Sequence, residues 1–387
     1  MTTVDTNITT PEGVLDAARC LAPSIVARAG EIEADRRVPP DLLDQLIAAG
    51  VFRVLRPATH GGAGADLASA MRVYEALARA DASVGWIAMI GSGSWCDLAP
   101  LPRVTFDDLF LGAPDAITAG VFSPSGSITA TGGGYRATGR WAFASGCEHA
   151  DWIYGNCVEG VVDGVPRLRI AVFAPDQVVI EDTWTASGLR GTGSHHFHVD
   201  SVAVPAERTL DPLADAPSLD VPIVHVPVPA LLALAIASVA IGSAQGALDD
   251  IVAVAADRVP LLESRALAAN PTFQHELATA DTELCAARAL VYESAEAAWE
   301  TARAGGEFTL GHRARMRAAA VWATERAADV VRAAHRAGGG GAIYDESPLQ
   351  RRLRDVDALT QHFLVRSDTL TTAGAILAGQ DVEVMVF

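Results

Sequence analysis

The sequence has few cysteines and no closely spaced pair of them. Its 387 residues contain five cysteines, and none lies in a CxxC pair. An odd number of scattered thiols is typical of reduced cysteines in a cytoplasmic protein, not of a disulfide framework. The first ten residues also lack the basic and then apolar pattern of a secretory signal. We therefore expect a cytoplasmic location.

Basic residues and long apolar runs are also scarce. Lys and Arg number 29 against 47 Asp and Glu, so the formal net charge is −18. Such a surface repels nucleic-acid phosphates and anionic lipid, and neither nucleic acid nor a membrane is an expected partner. The apolar segment 221–242 contains three prolines, and its uninterrupted part is shorter than the about 20 residues that a transmembrane helix needs. This segment predicts a buried core helix.

Nucleotide-binding fingerprints are missing as well. No Walker-type GxxxxGK[ST] motif occurs, and the glycine-rich pieces at 61–64, 91–93 and 191–193 do not lie between a strand and a helix of a βαβ unit. Turn or packing glycines are the better interpretation. If the protein performs redox chemistry, its hydride source binds elsewhere.

What is present predicts an α+β protein with three regions. Helix-spaced apolar residues occupy 1–115, where Asp81 and Ser83 are placed to cap a fourth helix. Short β-branched runs punctuated by glycine occupy 116–212 and predict a β-domain. Alanine-rich helical periodicity over 213–387 predicts an antiparallel helical bundle.

Three clusters have residue types suited to binding or chemistry. The run 141–146, Trp-Ala-Phe-Ala-Ser-Gly, offers a flat apolar wall and one hydroxyl, which suits an isoalloxazine ring. The glycine-rich loop 188–194 offers amides, hydroxyls and Arg190 for a diphosphate. The third cluster joins the glycines 338–341 to Asp355 and His362, which would share a face if one helix held both. A β-core strand, a hairpin connection and a solvated helix start remain the plain alternatives for the three.

Taken in this order, the clusters resemble the acyl-CoA dehydrogenase superfamily. More specifically, they are similar to its two-component (group D) flavin monooxygenases, which hydroxylate phenols, secosteroid phenols, dibenzothiophene or indoles of the xiamycin type. The resemblance covers essentially the whole chain. It implies an acyl-CoA dehydrogenase-like fold with an N-terminal helical domain, a central β-barrel domain and a C-terminal antiparallel helical bundle.

One departure from the superfamily selects the oxygenase branch. An acyl-CoA dehydrogenase needs a carboxylate base for the α-proton of its thioester. The usual position, eight residues beyond Asp355, holds Phe363, and the alternative position falls near the apolar Leu232. His362 instead matches the position at which the oxygenases keep a histidine facing the flavin.

The resemblance also implies roles for individual residues. Ser145 would contact N5 of the flavin, and His362 would stabilise a C4a-hydroperoxide and help to deprotonate a phenol or indole. The remaining expected flavin contacts are Trp141, Phe143, Ser123, Arg190, Thr192 and Ser194, with Gly339, Gly340 and Arg352 reaching a flavin held mainly by a neighbouring subunit. The residues expected to line an aromatic substrate pocket are Trp86, Trp95 and Phe122, for which core packing is an equal alternative.

The implied reaction has several partners. They are reduced FAD (with FMN as the alternative), O2, a small aromatic substrate and a separate NAD(P)H-dependent flavin reductase, in a homotetramer. An acyl-CoA dehydrogenase-like oxidase, an N- or S-oxygenase and a non-catalytic flavin-binding protein remain alternatives. No metal is expected. On a strand, His196 and His198 share a face while His195 points to the other, and no third ligand is specified.

Overall fold

The N-terminal region is helical in the computed structural model, which describes residues 9–261 and 263–382. Its helices are α1 (Pro11–Asp35), α2 (Pro40–Ala48), α3 (Leu67–Ala80), α4 (Ala82–Gly93), α5 (Trp95–Leu98) and α6 (Arg103–Phe110). The predicted cap of α4 is confirmed. The Asp81 carboxylate accepts hydrogen bonds from the amides of Ser83 and Val84 at 2.9 and 3.2 Å, which satisfies donors that a helix start leaves free.

A sheet follows, as the β-branched runs predict. Its strands are β1 (Thr118–Thr131), β2 (Gly134–Ala144), β3 (Trp152–Val162), β4 (Val165–Phe173), β5 (Val179–Glu181), β6 (His195–Pro205) and β7 (Thr209–Leu210). The order is β5-β6-β2-β1-β3-β4-β7, with β1 and β3 parallel and the other neighbours antiparallel. In the described residues the central domain is thus a seven-stranded sheet with β5 and β7 at its ends.

The C-terminal region is a set of long helices. They are α7 (Val228–Asp257), α8 (Pro271–Arg303), α9 (Leu310–Gly338), α10 (Pro348–Leu359) and α11 (Thr369–Leu377). By length and composition α7 could cross a membrane, yet most of its apolar window is buried inside the protein. The segment 221–242 therefore contributes to a core helix, as predicted.

One hydrophobic core crosses all three regions. It joins residues of α3 and α4 to α7, α9 and α10 and also includes Tyr154, Ile170 and Leu189 from the central region. The expected boundaries near 115 and 212 lie in the connections that precede β1 and follow β7, and they remain a prediction. The candidate site lies where the three regions meet.

Candidate functional site

The end of β2 is bent by a bulge. Trp141 pairs with Phe197 of β6, but the register shifts before Ala144 pairs with His195. Phe143, inside this irregularity, has a φ of +67°, which costs a non-glycine residue about 1–2 kcal/mol. The bulge turns the Phe143 ring to the surface, where 68% of it is exposed. Bulges re-aim side chains in this way, and here the strand leads into a buried Ser145.

Ser145 belongs to a chain of buried hydroxyl groups. Its Oγ lies 3.0 Å from Nε1 of Trp86 and 2.7 Å from Oγ of Ser194. Ser194 Oγ is in turn 2.7 Å from Oγ1 of Thr192, which donates to the carbonyl of Leu189 at 2.8 Å. The structure therefore brings Ser145, Ser194 and Thr192 together, with Ser145 at the end nearest to Trp86.

The loop 188–194 is held from both sides. On the sheet side, the Gly146 amide donates to the Thr192 carbonyl at 2.9 Å. On the helix side, the Leu189 amide donates to Oδ1 of Asp355 in α10 at 2.6 Å. A Cβ on Gly188 would lie 1.9 Å from the Arg354 carbonyl oxygen, so only glycine permits this approach to α10.

His362 lies beside the same indole. Its ring and that of Trp86 meet edge to face, with centroids 5.5 Å apart. The predicted shared helical face of Asp355 and His362 is wrong, because α10 ends at Leu359 and His362 lies in the turn beyond it. Asp355 lies within α10 and contacts Leu189, whereas the turn after the helix places His362 against Trp86.

The electrostatics of His362 define its chemistry. Burial, assisted by the positive charge of Arg317, lowers the pKa of His362 to about 4, so the imidazole is neutral near pH 7. Its Nδ1 accepts a 3.3 Å hydrogen bond from the Leu364 amide. The tautomer assigned from this bond carries its proton on Nε2, which makes His362 a donor on its free side.

A pair of carboxyl groups lies behind the loop. Burial raises the pKa of Asp81, and burial together with the charge of Asp81 raises the pKa of Asp355 to about 7. Both accept backbone hydrogen bonds, Asp81 from the start of α4 and Asp355 from Leu189. Asp355 thus joins the loop 188–194 to α10, and Asp81 caps α4 close enough for the two carboxyl groups to influence each other.

The structure does not bring Trp141 to this site. Its indole is fully buried, stacks on Phe197 at a centroid distance of 4.8 Å and donates to the Asn156 carbonyl at 2.7 Å. Glycines make room for it: a Cβ on Gly126 or Gly155 would lie 2.3 or 2.5 Å from the ring. Trp141 is a core residue of the sheet, and its expected flavin contact is corrected, because no face of the ring is open.

The expected substrate-pocket residues separate. Trp86 is buried between Ser145 and His362. Trp95 is fully buried and packs edge to face on Phe106, so it is a core residue and not a pocket wall. Phe122 is half-buried where the β1 register shifts, and its carbonyl accepts a hydrogen bond from Asn156 at 2.9 Å. Its place in a pocket remains a prediction.

The other expected cofactor contacts lie at the surface or within packing contacts. Ser123 is exposed in the same irregular part of β1, and Gly339 and Gly340 are exposed after α9. Arg352 is buried in an ion pair with Asp250 and donates to the Arg79 carbonyl at 3.0 Å. That guanidinium holds α10 against α7 and α3, so it is not free to reach a flavin from this position.

Two of the three histidines of β6 have side-chain hydrogen-bond partners, whereas Nδ1 of His196 is buried without one among the described residues. His195 Nδ1 accepts from the amides of Thr183 and Trp184, and His198 Nδ1 lies 2.8 Å from a carboxylate oxygen of Glu181. Over residues 9–261 and 263–382, no group of three or more His, Cys, Asp or Glu side chains is arranged to hold a metal ion.

Both expected positions of the acyl-CoA base hold apolar side chains. Phe363 follows α10 and is 57% exposed, and Leu232 is half-buried in α7. The buried carboxyl groups of Asp81 and Asp355 are engaged with backbone amides. The groups that flank Trp86 are therefore an imidazole and a hydroxyl.

Sequence reasoning assigned no individual role at the site to three residues that lie around it. Trp184 donates from Nε1 to the Leu189 carbonyl at 2.9 Å and meets the Phe143 ring edge to face. The charge of Arg317 lowers the pKa of His362, and the charge of Asp81 raises the pKa of Asp355. The cap signal of Asp81 was visible in the sequence, whereas the two long-range contacts left no local pattern.

The residues can hold a flavin where the resemblance places it. Ser145 offers a buried hydroxyl oxygen with one lone pair unused by its two partners. Phe143 presents an exposed aromatic ring nearby on a backbone with positive φ, and backbone strain of this kind concentrates at ligand sites. Nε of Arg190 is buried without a hydrogen-bond partner among the described residues. The Ser145 lone pair suits a ligand N–H, the Phe143 ring suits a planar ligand and the Arg190 guanidinium suits an anionic group.

Family models and known proteins resemble the chain along most of its length. The model of the acyl-CoA dehydrogenase N-terminal domain matches residues 12–100, and that of the C-terminal domain matches residues 234–367. The indole-3-acetate monooxygenase of Pseudomonas putida is 34% identical over 95% of this chain and 93% of its own. The oxygenase component of the FADH(2)-dependent resorcinol hydroxylase of Rhizobium sp. is 31% identical over 89% and 88%. The solved structure of XiaF from Streptomyces sp., in complex with FADH2 and glycerol, superposes with a TM-score of 0.92 at 24% identity, over 97% of this chain and 98% of that one.

Proposed function

Because the chain belongs to the acyl-CoA dehydrogenase superfamily, in its branch of two-component flavin-dependent monooxygenases, we propose that it hydroxylates a small indole or phenol with reduced FAD and O2. The balanced reaction converts R–H, O2 and FADH2 into R–OH, H2O and FAD. The observation that supports this reaction best is the cluster of Ser145, Trp86 and His362 in a region without the acyl-CoA base.

Reduced flavin, when bound, supplies the two electrons that activate O2 for transfer. Around it, Ser145 would accept a hydrogen bond from N5–H, and Phe143 would cover the ring system. Arg190 and Ser123 are candidates for outer contacts of the cofactor, and Gly339 and Gly340 for contacts with a flavin in a neighbouring subunit. FMN would use the same ring contacts and only fewer of the outer ones.

His362 would act on oxygen and substrate as a neutral donor. Its Nε2–H can hydrogen-bond to a developing negative charge, and such donors act strongly where water is excluded. Trp86 and Phe122 would form apolar walls for an aromatic ring. Attack on nitrogen or sulfur instead of carbon would use the same residues.

Three further features accompany this proposal. The relatives are oxygenase components, so a separate NAD(P)H-dependent flavin reductase would supply the reduced flavin. Exposed apolar side chains at Ile343, Tyr344 and Phe363 would be covered in a homotetramer. The five free cysteines favour a cytoplasmic location.

The test is reconstitution with a generic flavin reductase, NADH, FAD and a panel of indoles, phenols and amines, with products read by mass spectrometry. We expect the chain alone not to consume NADH and the full system to add one oxygen atom to an aromatic substrate. Ser145→Ala and His362→Ala should lose product while flavin reduction continues. Ser238→Ala is the matched control, because that buried hydroxyl donates to the Ala235 carbonyl of its own helix at 2.7 Å.

Two results would contradict the proposal. One is unchanged product formation in both Ser145→Ala and His362→Ala. The other is anaerobic bleaching of bound oxidised FAD by an acyl-CoA, which would assign desaturation to the site.

A further inference from the structure

The direction of every hydrogen bond in the hydroxyl chain is fixed by its ends. The Trp86 indole N–H can only donate, and the Leu189 carbonyl can only accept. Thr192 uses its single proton on that carbonyl, so it must accept from Ser194. Ser194 then has no proton left for Ser145 and must accept from it. The order of donation is Trp86, Ser145, Ser194, Thr192, Leu189.

The consequence for Ser145 is that its own proton is already committed. Its oxygen accepts from Trp86 and keeps one lone pair free. All four side chains are at least nine-tenths buried, so exchange of these bonds for bonds to water is unfavourable. Any ligand that reaches Ser145 must therefore present a donor.

We propose that Ser194 and Thr192 are positioning residues that lock Ser145 as a hydrogen-bond acceptor and so favour the reduced cofactor over the oxidised one. This inference rests on the proposed function, because it uses the placement of flavin N5 at Ser145. N5 carries a proton in reduced flavin and is an acceptor in oxidised flavin. A Ser145 oxygen that can only accept therefore binds N5–H of the reduced form. In the oxidised form, the lone pairs of this oxygen and of N5 repel each other. Neither Ser194 nor Thr192 needs to touch the cofactor.

The test compares the affinities of oxidised and anaerobically reduced FAD in variants of the chain. Thr192→Val removes the hydroxyl at nearly constant volume, Ser194→Ala removes the next one, and Thr192→Ser keeps the hydroxyl as the matched control. In Ser194→Ala, Ser145 loses its acceptor, and in Thr192→Val, Ser194 can turn its proton toward Ser145. In both variants Ser145 is free to donate to oxidised N5. We expect the Kd of oxidised FAD divided by the Kd of reduced FAD to fall about tenfold in Thr192→Val and Ser194→Ala. This change is the scale of one hydrogen bond. Thr192→Ser should keep the wild-type ratio.

The same change appears as a potential. Weaker preference for the reduced form lowers the midpoint potential of bound FAD, and a tenfold change in ratio is about 30 mV for a two-electron couple. If Ser194 and Thr192 had a purely structural role, their loss would weaken the binding of oxidised and reduced FAD by the same factor. The midpoint potential of the bound flavin would then stay unchanged. That result in both variants would overturn the inference.

The outcomes separate this inference from the proposed function. If wild-type protein binds FAD and hydroxylates an aromatic substrate while the variants keep its affinity ratio, only the positioning role fails. If the ratio shifts as expected but reduced FAD and O2 yield no oxygenated product, the positioning role stands and the hydroxylase proposal fails. If wild-type protein binds neither redox form, both fail.

Discussion

The two sides of Leu189 differ in how they hold the same loop. On its carbonyl side lie neutral hydroxyl groups, each paired and each with a fixed direction of donation. On its amide side lies the carboxyl group of Asp355, which titrates near pH 7 beside Asp81 and the guanidinium groups of Arg351 and Arg354. A chain of neutral hydroxyl groups fixes the direction of its hydrogen bonds without the cost of desolvating a charge. Buried charged groups need an opposite charge or hydrogen bonds to offset that cost. The comparison assigns ligand discrimination to the hydroxyl side and the joining of helices to the charged side.

The largest effect should come from breaking the ion pair of Arg352, which lies in α10 with Asp355 and acts on the charge of Asp81. Arg352→Met removes the partner of Asp250 and the donor to the Arg79 carbonyl. Truncation of one member of a buried ion pair costs about 3–5 kcal/mol, and we expect the lower end of this range because 21% of the Asp250 side chain is exposed. Urea unfolding at neutral pH measures the loss in the free energy of unfolding.

The control for that experiment is Arg19→Met. Arg19 pairs with Asp16 on the surface of α1, where both side chains are mostly exposed, and such pairs contribute little. An Arg352→Met protein as stable as Arg19→Met would show that the pair does not hold α10 in place.

Local signals in the sequence predicted much of the fold. The Asp81 cap and the strands around Trp152 and Val199 depend on neighbours a few residues away, so they are visible in the sequence. Ser145 was also placed correctly at a strand end, but its partners Ser194 and Trp86 come from other elements. Long-range pairing of this kind has no local pattern.

The errors have the same physical origin. Trp141 and Phe143 both have aromatic side chains in one strand, and only the bulge between them decides that one is core and the other is exposed. The end of α10 at Leu359 likewise depends on tertiary packing, because the following residues include no Gly or Pro that would stop the helix. A periodicity argument carries the helix through His362 for that reason.

The next effect tests the hydroxyl side through its neighbour His362. We expect His362→Ala to lower the rate of coupled hydroxylation about 100-fold, the usual scale for a donor or acid–base group at a reaction centre. Because the pKa of His362 is lowered to about 4, the neutral form dominates from pH 6 upward and activity should decline only as the pH approaches that value. Product formation per flavin oxidised, measured against pH, checks both statements.

Arg317 sharpens this test. Arg317→Met should raise the pKa of His362 and move the acid decline to higher pH, while Arg317→Lys keeps the charge and should keep the profile. The shift should stop short of the ordinary histidine value, since burial is the larger cause. An unchanged profile in Arg317→Met would contradict the electrostatic role of Arg317.

The smallest effect concerns the charged side and pH. The pKa of Asp355 is raised to about 7 in the folded protein, above its unfolded value. The protonated carboxyl therefore favours the folded state at low pH, and this contribution to the free energy of unfolding is lost as the pH rises through 7. Asp355→Asn keeps an acceptor for the Leu189 amide and carries no charge. Relative to wild type, its free energy of unfolding should therefore gain about 1 kcal/mol between pH 6 and pH 7. Asp41→Asn should show no such gain, because Arg28 lowers the pKa of Asp41 and that carboxyl is ionised throughout this range. An equal difference in the free energy of unfolding between Asp355→Asn and wild type at pH 6 and pH 7 would mean that Asp355 is ionised in the folded protein over this range. The two sides of Leu189 would then differ in charge, but neither would make stability depend on pH.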